Sequence, residues 1–236
     1  RPPRSTLFPY TTLFRSGLSH ILALSGMHLN LFGGLAFFFG KKITRKTYAD
    51  FFQLSAICFF VWFCGTTPSL IRAMISSIIV FLNSLLKMNR FKGLTVLSLC
   101  FLLQSVFFPQ HIHTQAFVLS YGALAGIMIL GEILKKIIGK FLFPYFSYKF
   151  SESAGAQFFT APISVKYFGT FYPVGIISTI IINPLINLFL YIGLFGIFIC
   201  LFLPFLSEVF NVIINYIYLI LKKLVFYFSN FPPLEF

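Results

Sequence analysis

The sequence predicts an all-α fold: a polytopic transmembrane helical bundle of roughly seven to nine membrane segments, some of them re-entrant or broken, judged by the length a bilayer demands. Three observations carry that prediction. The 236 residues are 58% hydrophobic and 10% charged, whereas a soluble domain carries roughly a quarter charged residues. Apolar runs recur along the whole length, at 51–64, 70–86, 94–108 and 179–203. The basic residues gather between those runs rather than within them. A transmembrane β-barrel would show short alternating segments instead, and these are absent.

Each segment follows in order. The first covers about 18–39 and is followed by Lys41, Lys42, Arg45 and Lys46. The second, about 51–64, ends at Gly65-Thr66-Thr67-Pro68, which has no charge. The third, about 69–86, runs into Lys87, Arg90 and Lys92; the fourth, about 94–108, ends at 109–114, with histidines but no Lys or Arg. The fifth, about 115–134, leads to Lys135, Lys136, Lys140 and Lys149. Basic loops therefore alternate with bare ones, and the basic set is expected in the cytoplasm. Residues 151–166 are weakly polar and short for a span, which suits an interfacial or re-entrant helix. Residues 171–203 are too long for one helix, and Pro184, Asn183 and Asn187 suggest a broken helix or a tight pair. A last span covers about 208–228.

The start of the chain reads differently. Thr6 to Ser16, TLFPYTTLFRS, resembles a translation of a common short-read sequencing adapter, residue for residue. Residues 1–16 are accordingly expected to be a library-derived artefact, with 17–236 the native membrane domain and the natural N-terminus missing. Without Arg1, Arg4 and Arg15 the formal charge of +13 becomes 13 − 3 = +10.

Several polar residues interrupt the apolar segments. Ser25 and His28 lie three apart, and Gly26 and Asn30 four apart, so they share a helix face. Such groups in a membrane mark either helix–helix glue or a wet pathway. Arg72 follows Pro68 by one turn. It either snorkels outward and caps carbonyls, or points into the bundle as a fixed cation for phosphate or another anion. Gly122-Ala-Leu-Ala-Gly126 is a small-xxx-small pattern, whose first reading is close helix packing.

Enzyme chemistry has no foothold in the residues. Asp and Glu number five, with no paired-carboxylate pattern. His111-Ile-His113 is followed by Thr114 and Gln115, which do not complete a binuclear metal site. There is no phosphate-binding glycine loop. Cys58, Cys64, Cys100 and Cys200 have no metal-ligand spacing and read as small apolar residues. No cofactor and no metal is called for.

Gly17-Leu-Ser-His20-Ile-Leu-Ala-Leu-Ser25-Gly26-Met-His28 resembles the signature of the ComEC competence family of bacterial DNA uptake, close to GLxHLLAISGLH. Leu24 and Met27 are conservative departures from it. Thr67-Pro68-Ser-Leu-Ile-Arg72-Ala is similar to the family's PSxxRA stretch. Ala116-Phe-Val-Leu-Ser-Tyr-Gly-Ala-Leu-Ala-Gly126 is similar to its FQLSFLAVLG, and Asn183-Pro-Leu-Ile-Asn187 to its asparagine-bearing NLLAIPL-type helix. The matches run in order from Gly17 to about Gly193.

The resemblance implies an inner-membrane channel that passes single-stranded DNA into the bacterial cytoplasm during natural transformation. Ser25, His28, Asn30, Arg72, Asn183 and Asn187 would be candidates for its lining. Implied partners are single-stranded DNA, the lipid bilayer, a DNA receptor, a cytoplasmic helicase-type ATPase and a second copy of the chain. The hydrolase domain that longer members carry has no counterpart in these residues, so the chain is not expected to be an enzyme. A secondary transporter of another small or anionic substrate and a non-transporting scaffold stay open as alternatives.

Overall fold

The structure is a computed structural model and describes residues 26–43, 46–86, 92–140, 143–232 and 234–235. The adapter-like stretch 1–16 lies outside the described residues, as do Gly17, His20 and Ser25 of the first motif.

The described chain is helical from end to end. In order it forms α1 (Gly26–Ile43), α2 (Lys46–Cys64), α3 (Pro68–Leu85), α4 (Gly93–Phe107) and a 3₁₀ turn (Pro109–His111). Then come α5 (Gln115–Gly126), a π-helical turn (Ile127–Gly131) and α6 (Glu132–Ile138), which together make one continuous rod. Last are α7 (Pro144–Phe168), α8 (Gly175–Phe202) and α9 (Ser207–Ser229). Two-residue strands β1 (Thr170–Phe171) and β2 (Leu234–Glu235) pair antiparallel, tying the end of the chain to the α7–α8 turn.

Local chemistry sets the boundaries. Between α2 and α3, Gly65 takes a positive φ of 91°. Thr67 then accepts from the Leu70 N–H at 3.4 Å, and Pro68 occupies the first helical position, where its missing N–H costs nothing. Thr114 caps α5 in the same way through the Phe117 N–H. Gly169, at φ 67°, closes α7 with a left-handed cap.

Among the described residues, five helical rods are long and apolar enough to cross a membrane: Thr47–Cys64, Pro68–Leu85, Gln115–Ile138, Gly175–Phe202 and Pro204–Ser229. Gly93–Phe107 is apolar but shorter. The all-α membrane bundle predicted from composition is thus what forms. Its outer surface carries Trp62, Phe63, Phe107 and Leu201, each about three-quarters exposed. Such a skin is stable only against lipid.

Two expectations for the C-terminal half need correction. The stretch 151–166 is not a separate short helix. It is the greater part of α7, a helix of 25 residues whose Ser147, Ser151 and Ser153 are buried against its neighbours. The stretch 171–203 is not broken at Pro184 either, because α8 runs through it as one helix of 28 residues. Proline removes one N–H, freeing the carbonyl four residues back. That carbonyl belongs to Ile180, and both Ile180 and Pro184 border a cavity between the helices. At 1.5 Å per residue α8 is about 42 Å long, more than the bilayer core, so it must tilt or project.

Two apolar cores form. Leu29, Ile57, Leu70, Ile71, Cys100 and Phe117 join α1 to α5. Ile182, Ile186, Ile217, Leu221, Val225 and Phe228 join α8 to α9. Helix α7 links the two by packing on α5, on the π turn and on α8. The small-xxx-small pattern makes one side of this link. A Cβ on Gly122 would stand 3.1 Å from Ile163, and one on Gly126 would run into the Gly155 carbonyl. From the other side, a Cβ on Gly155 would lie 2.7 Å from Gly126 O and 2.9 Å from Gly131 N. Backbone meets backbone there, as small residues allow in membranes.

Candidate functional site

Helices α1, α2, α3, α5, α7 and α8 line a half-open cavity of about 1190 Å³. Its lining follows helical periodicity. On α3 the wall is Arg72, Ser76, Val80 and Ser84; on α7 it is Tyr145, Lys149, Ser153 and Gln157. On α8 it is Thr179, Asn183, Asn187 and Tyr191. Each set steps by four residues, which keeps it on one helix face. Three helices otherwise surrounded by apolar side chains therefore turn polar stripes to the same space. From α1, Asn30 adds an amide, and from α2, Asp50 and Gln53 add a carboxylate and an amide.

Arg72 is held rather than loose. Its Nη1 donates to the Ser120 carbonyl at 2.9 Å and to the Ser120 hydroxyl, and Ser69 donates to that same hydroxyl at 3.3 Å. None of these partners is anionic, and among the described residues the one ion pair is Lys149 with Glu152 at 2.9 Å. Arg72 therefore has no direct ion-pair partner among the described residues, in a cavity that Lys149, Asp50 and Glu152 also border. Gly26 makes room for it, since a Cβ there would meet Arg72 Nη2 at 3.4 Å and Ala73 Cβ at 3.3 Å. Two separate motif residues of the sequence are thus neighbours in space. Snorkelling outward is not what Arg72 does: its guanidinium turns inward and combines carbonyl capping with exposure to the cavity.

The opposite wall supplies spare hydrogen-bonding capacity. Gln157 Oε1, Thr179 Oγ1 and Asn183 Oδ1 are buried without a partner among the described residues. Buried polar atoms are almost always satisfied, so these suit a polar or hydrated occupant. Ser153 fixes this wall by donating to the Ile176 carbonyl at 3.1 Å, across the α7–α8 contact.

Of the six candidate lining residues, Asn30, Arg72, Asn183 and Asn187 border this one cavity. Ser25 lies outside the described residues; His28 sits in α1, but its side chain also falls outside them. Pro68 starts α3 one turn from Arg72. Sequence reasoning missed Ser76, Lys149, Gln157 and Thr179, although their four-residue spacing on α3, α7 and α8 was present to be read. It also missed a buried polar knot. Gln104 on α4 donates from Nε2 to the Pro68 carbonyl at 3.0 Å and accepts from the Tyr121 hydroxyl at 2.9 Å. His111 stacks on Phe108 with its Nδ1 3.4 Å from Gln104 Nε2, so this histidine serves the knot. Of the cysteines, Cys100 is buried beside Ser76, whereas Cys58 is exposed.

A multi-pass bundle with a half-open cavity of mixed polar and apolar lining, and a fixed cation without an ion-pair partner among the described residues, defines a class: membrane proteins with a cavity between their helices. The particular family is shown by comparison. The model of the Competence protein family matches residues 9–235, and the chain belongs to that family. It is also similar to ComE operon protein 3 of Bacillus subtilis (strain 168), at 26% identity over 129 residues. That similarity covers 54% of this chain and 16% of the relative, so the chain matches a small part of a much longer protein. No solved structure matches the chain. It is a competence-related membrane protein, and the matched domain is the transmembrane part of such proteins.

Proposed function

We propose that this chain lines a path by which single-stranded DNA crosses the bacterial inner membrane during transformation. The observation that carries the reading is the convergence of Arg72 with the polar stripes of α3, α7 and α8 on one cavity. DNA presents one negative charge per nucleotide, so its route through an apolar slab needs a polar, cationic wall. Arg72 supplies a planar fork suited to phosphate. Amides and hydroxyls on α8 suit the sugar and base edges of a strand stripped of its complement. The chain then acts as a conduit and not as an enzyme. The force for movement and the delivery of the strand come from partners, a cytoplasmic helicase-type ATPase and a surface DNA receptor.

Asp50 favours a second reading, because it places a carboxylate on the same wall. A permease for a small anion could couple its substrate to a proton there. The two readings part in one experiment. A strain lacking the gene, complemented with the intact locus, is scored for transformation by naked DNA and for ion-driven uptake of small anions. Restored transformation without solute uptake supports the DNA path; solute uptake without transformation overturns it in favour of the permease.

A further inference from the structure

Gln104 is the most deeply buried amide of the described bundle, with no exposed surface, in the last turn of the apolar helix α4. Nothing in its immediate sequence explains why a polar side chain should be there. Its contacts do. Its Nε2 donates to the Pro68 carbonyl, and in a regular α-helix that carbonyl accepts from the N–H four residues on, which is the N–H of Arg72. Its Oε1 accepts from Tyr121, the neighbour of the Ser120 that holds the Arg72 guanidinium. Gln104 therefore grips both ends of the strap around Arg72: the helical turn it springs from, and the segment that receives its tip. The same Nε2 also meets His111 Nδ1, which comes from the 3₁₀ turn before α5 and braces the knot from a third side.

We infer that Gln104 is a positioning residue for Arg72, acting through Pro68 and Tyr121 to keep the guanidinium on the cavity wall. Its functional sense rests on the DNA path proposed above. A guanidinium on a flexible stem pays a rotamer cost each time it binds, and a preset one does not. Gln104 itself touches no substrate: it belongs to the buried knot and does not line the cavity.

The test is a double-mutant cycle on uptake per channel, meaning transformation divided by membrane abundance in the same cells. Gln104→Leu removes all three hydrogen bonds of the amide, to Pro68, Tyr121 and His111, and keeps an apolar helix in the membrane. Tyr121→Phe is the second variant, because it removes one hydroxyl and leaves the packing intact. Each is made alone and with Arg72→Gln. Gln104→Leu is expected to lower uptake per channel about tenfold, the size of one charge-assisted hydrogen bond. Tyr121→Phe should lower it less. Neither should lower it further once Arg72 is already Gln. Losses that multiply in the double variants overturn the inference, because they mean Gln104 acts on the bundle and not through Arg72. So does wild-type uptake in both single variants.

A second readout stands apart from DNA. Phenylglyoxal modification of Arg72 in isolated membranes, followed by mass spectrometry, reports how the guanidinium is held. Its rate should change several-fold in Gln104→Leu, and in Tyr121→Phe should the Gln104→Leu variant fail to assemble. If Arg72→Gln itself leaves uptake at the wild-type level, the DNA path fails. The modification rate then judges the positioning alone, and an unchanged rate overturns it.

Discussion

At the scale of single residues, Arg72 decides between recognition and architecture. Its partners are a neutral carbonyl and a neutral hydroxyl, so its charge is available to whatever enters the cavity. Lysine in its place keeps the charge but loses the fork. Glutamine loses the charge and keeps a donor for the Ser120 carbonyl. Uptake per channel should therefore fall in the order wild type, Arg72→Lys, Arg72→Gln, with the glutamine variant down by about tenfold to a hundredfold, the usual worth of a hydrogen bond to a charged group. Membrane abundance should hold. Measured together by transformation counts and immunoblots, a fall in abundance that accounts for the whole loss would return Arg72 to a structural role. Arg72 was legible in the sequence because an arginine inside Pro68–Leu85 is conspicuous. Gln104 was not, since its partners come from residues 36 and 17 positions away.

At the scale of elements, α7 is the helix that sequence reading treated least well. Its serines, Lys149, Glu152 and Gln157 dilute the apolar signal, so its full length from Pro144 to Phe168 was not read. Those same residues face the cavity or the α5 rod, where their polarity is used. Pro184 misled for a related reason: proline breaks an isolated helix, but in a bundle the freed carbonyl can be placed where polar groups gather. The asparagines around it border the cavity, and the helix carrying them stays whole. The π turn left no trace in the sequence at all. It falls where α5 crosses α7, between Gly126 and Gly131, the two positions that Gly155 approaches most closely. This crossing predicts a specific fragility. Gly155→Ala puts a methyl group against the backbone of Gly126 and Gly131, and overpacking of that kind costs about 1–3 kcal/mol. The midpoint of thermal unfolding in detergent should drop in Gly155→Ala. Gly34→Ala, where nothing lies near the added carbon, serves as the control and should not move it.

At the scale of the whole molecule, the loops carry the orientation. Lys41 and Lys42 end α1, Lys135 and Lys136 lie in α6, and the α2–α3 turn at Gly65–Pro68 is bare. We predict that the basic ends face the cytoplasm and the bare turn faces outward. Single cysteines at Lys42 and Thr66, in a background without Cys58, Cys64, Cys100 and Cys200, test this with a membrane-impermeant thiol reagent. Label at Thr66 and protection at Lys42 are expected; the reverse pattern turns the molecule over.

The cavity has one more consequence, which concerns girth. Its three polar stripes each rise over twelve residues, or about 18 Å at helical pitch. A volume of about 1190 Å³ spread over that height corresponds to a width on the order of 10 Å, narrower than a whole duplex. The major groove of a duplex is by itself about 12 Å across. On the proposed DNA path a strand would have to shed its complement before it enters, and anything that restores thickness should jam the passage. Donor DNA closed by a stable hairpin at its leading end, or carrying a protein-sized plug there, should stall with its far end still open to nuclease outside the cell. An unplugged donor should become resistant over its full length, and full resistance of the plugged donor would show that strands travel by a wider route.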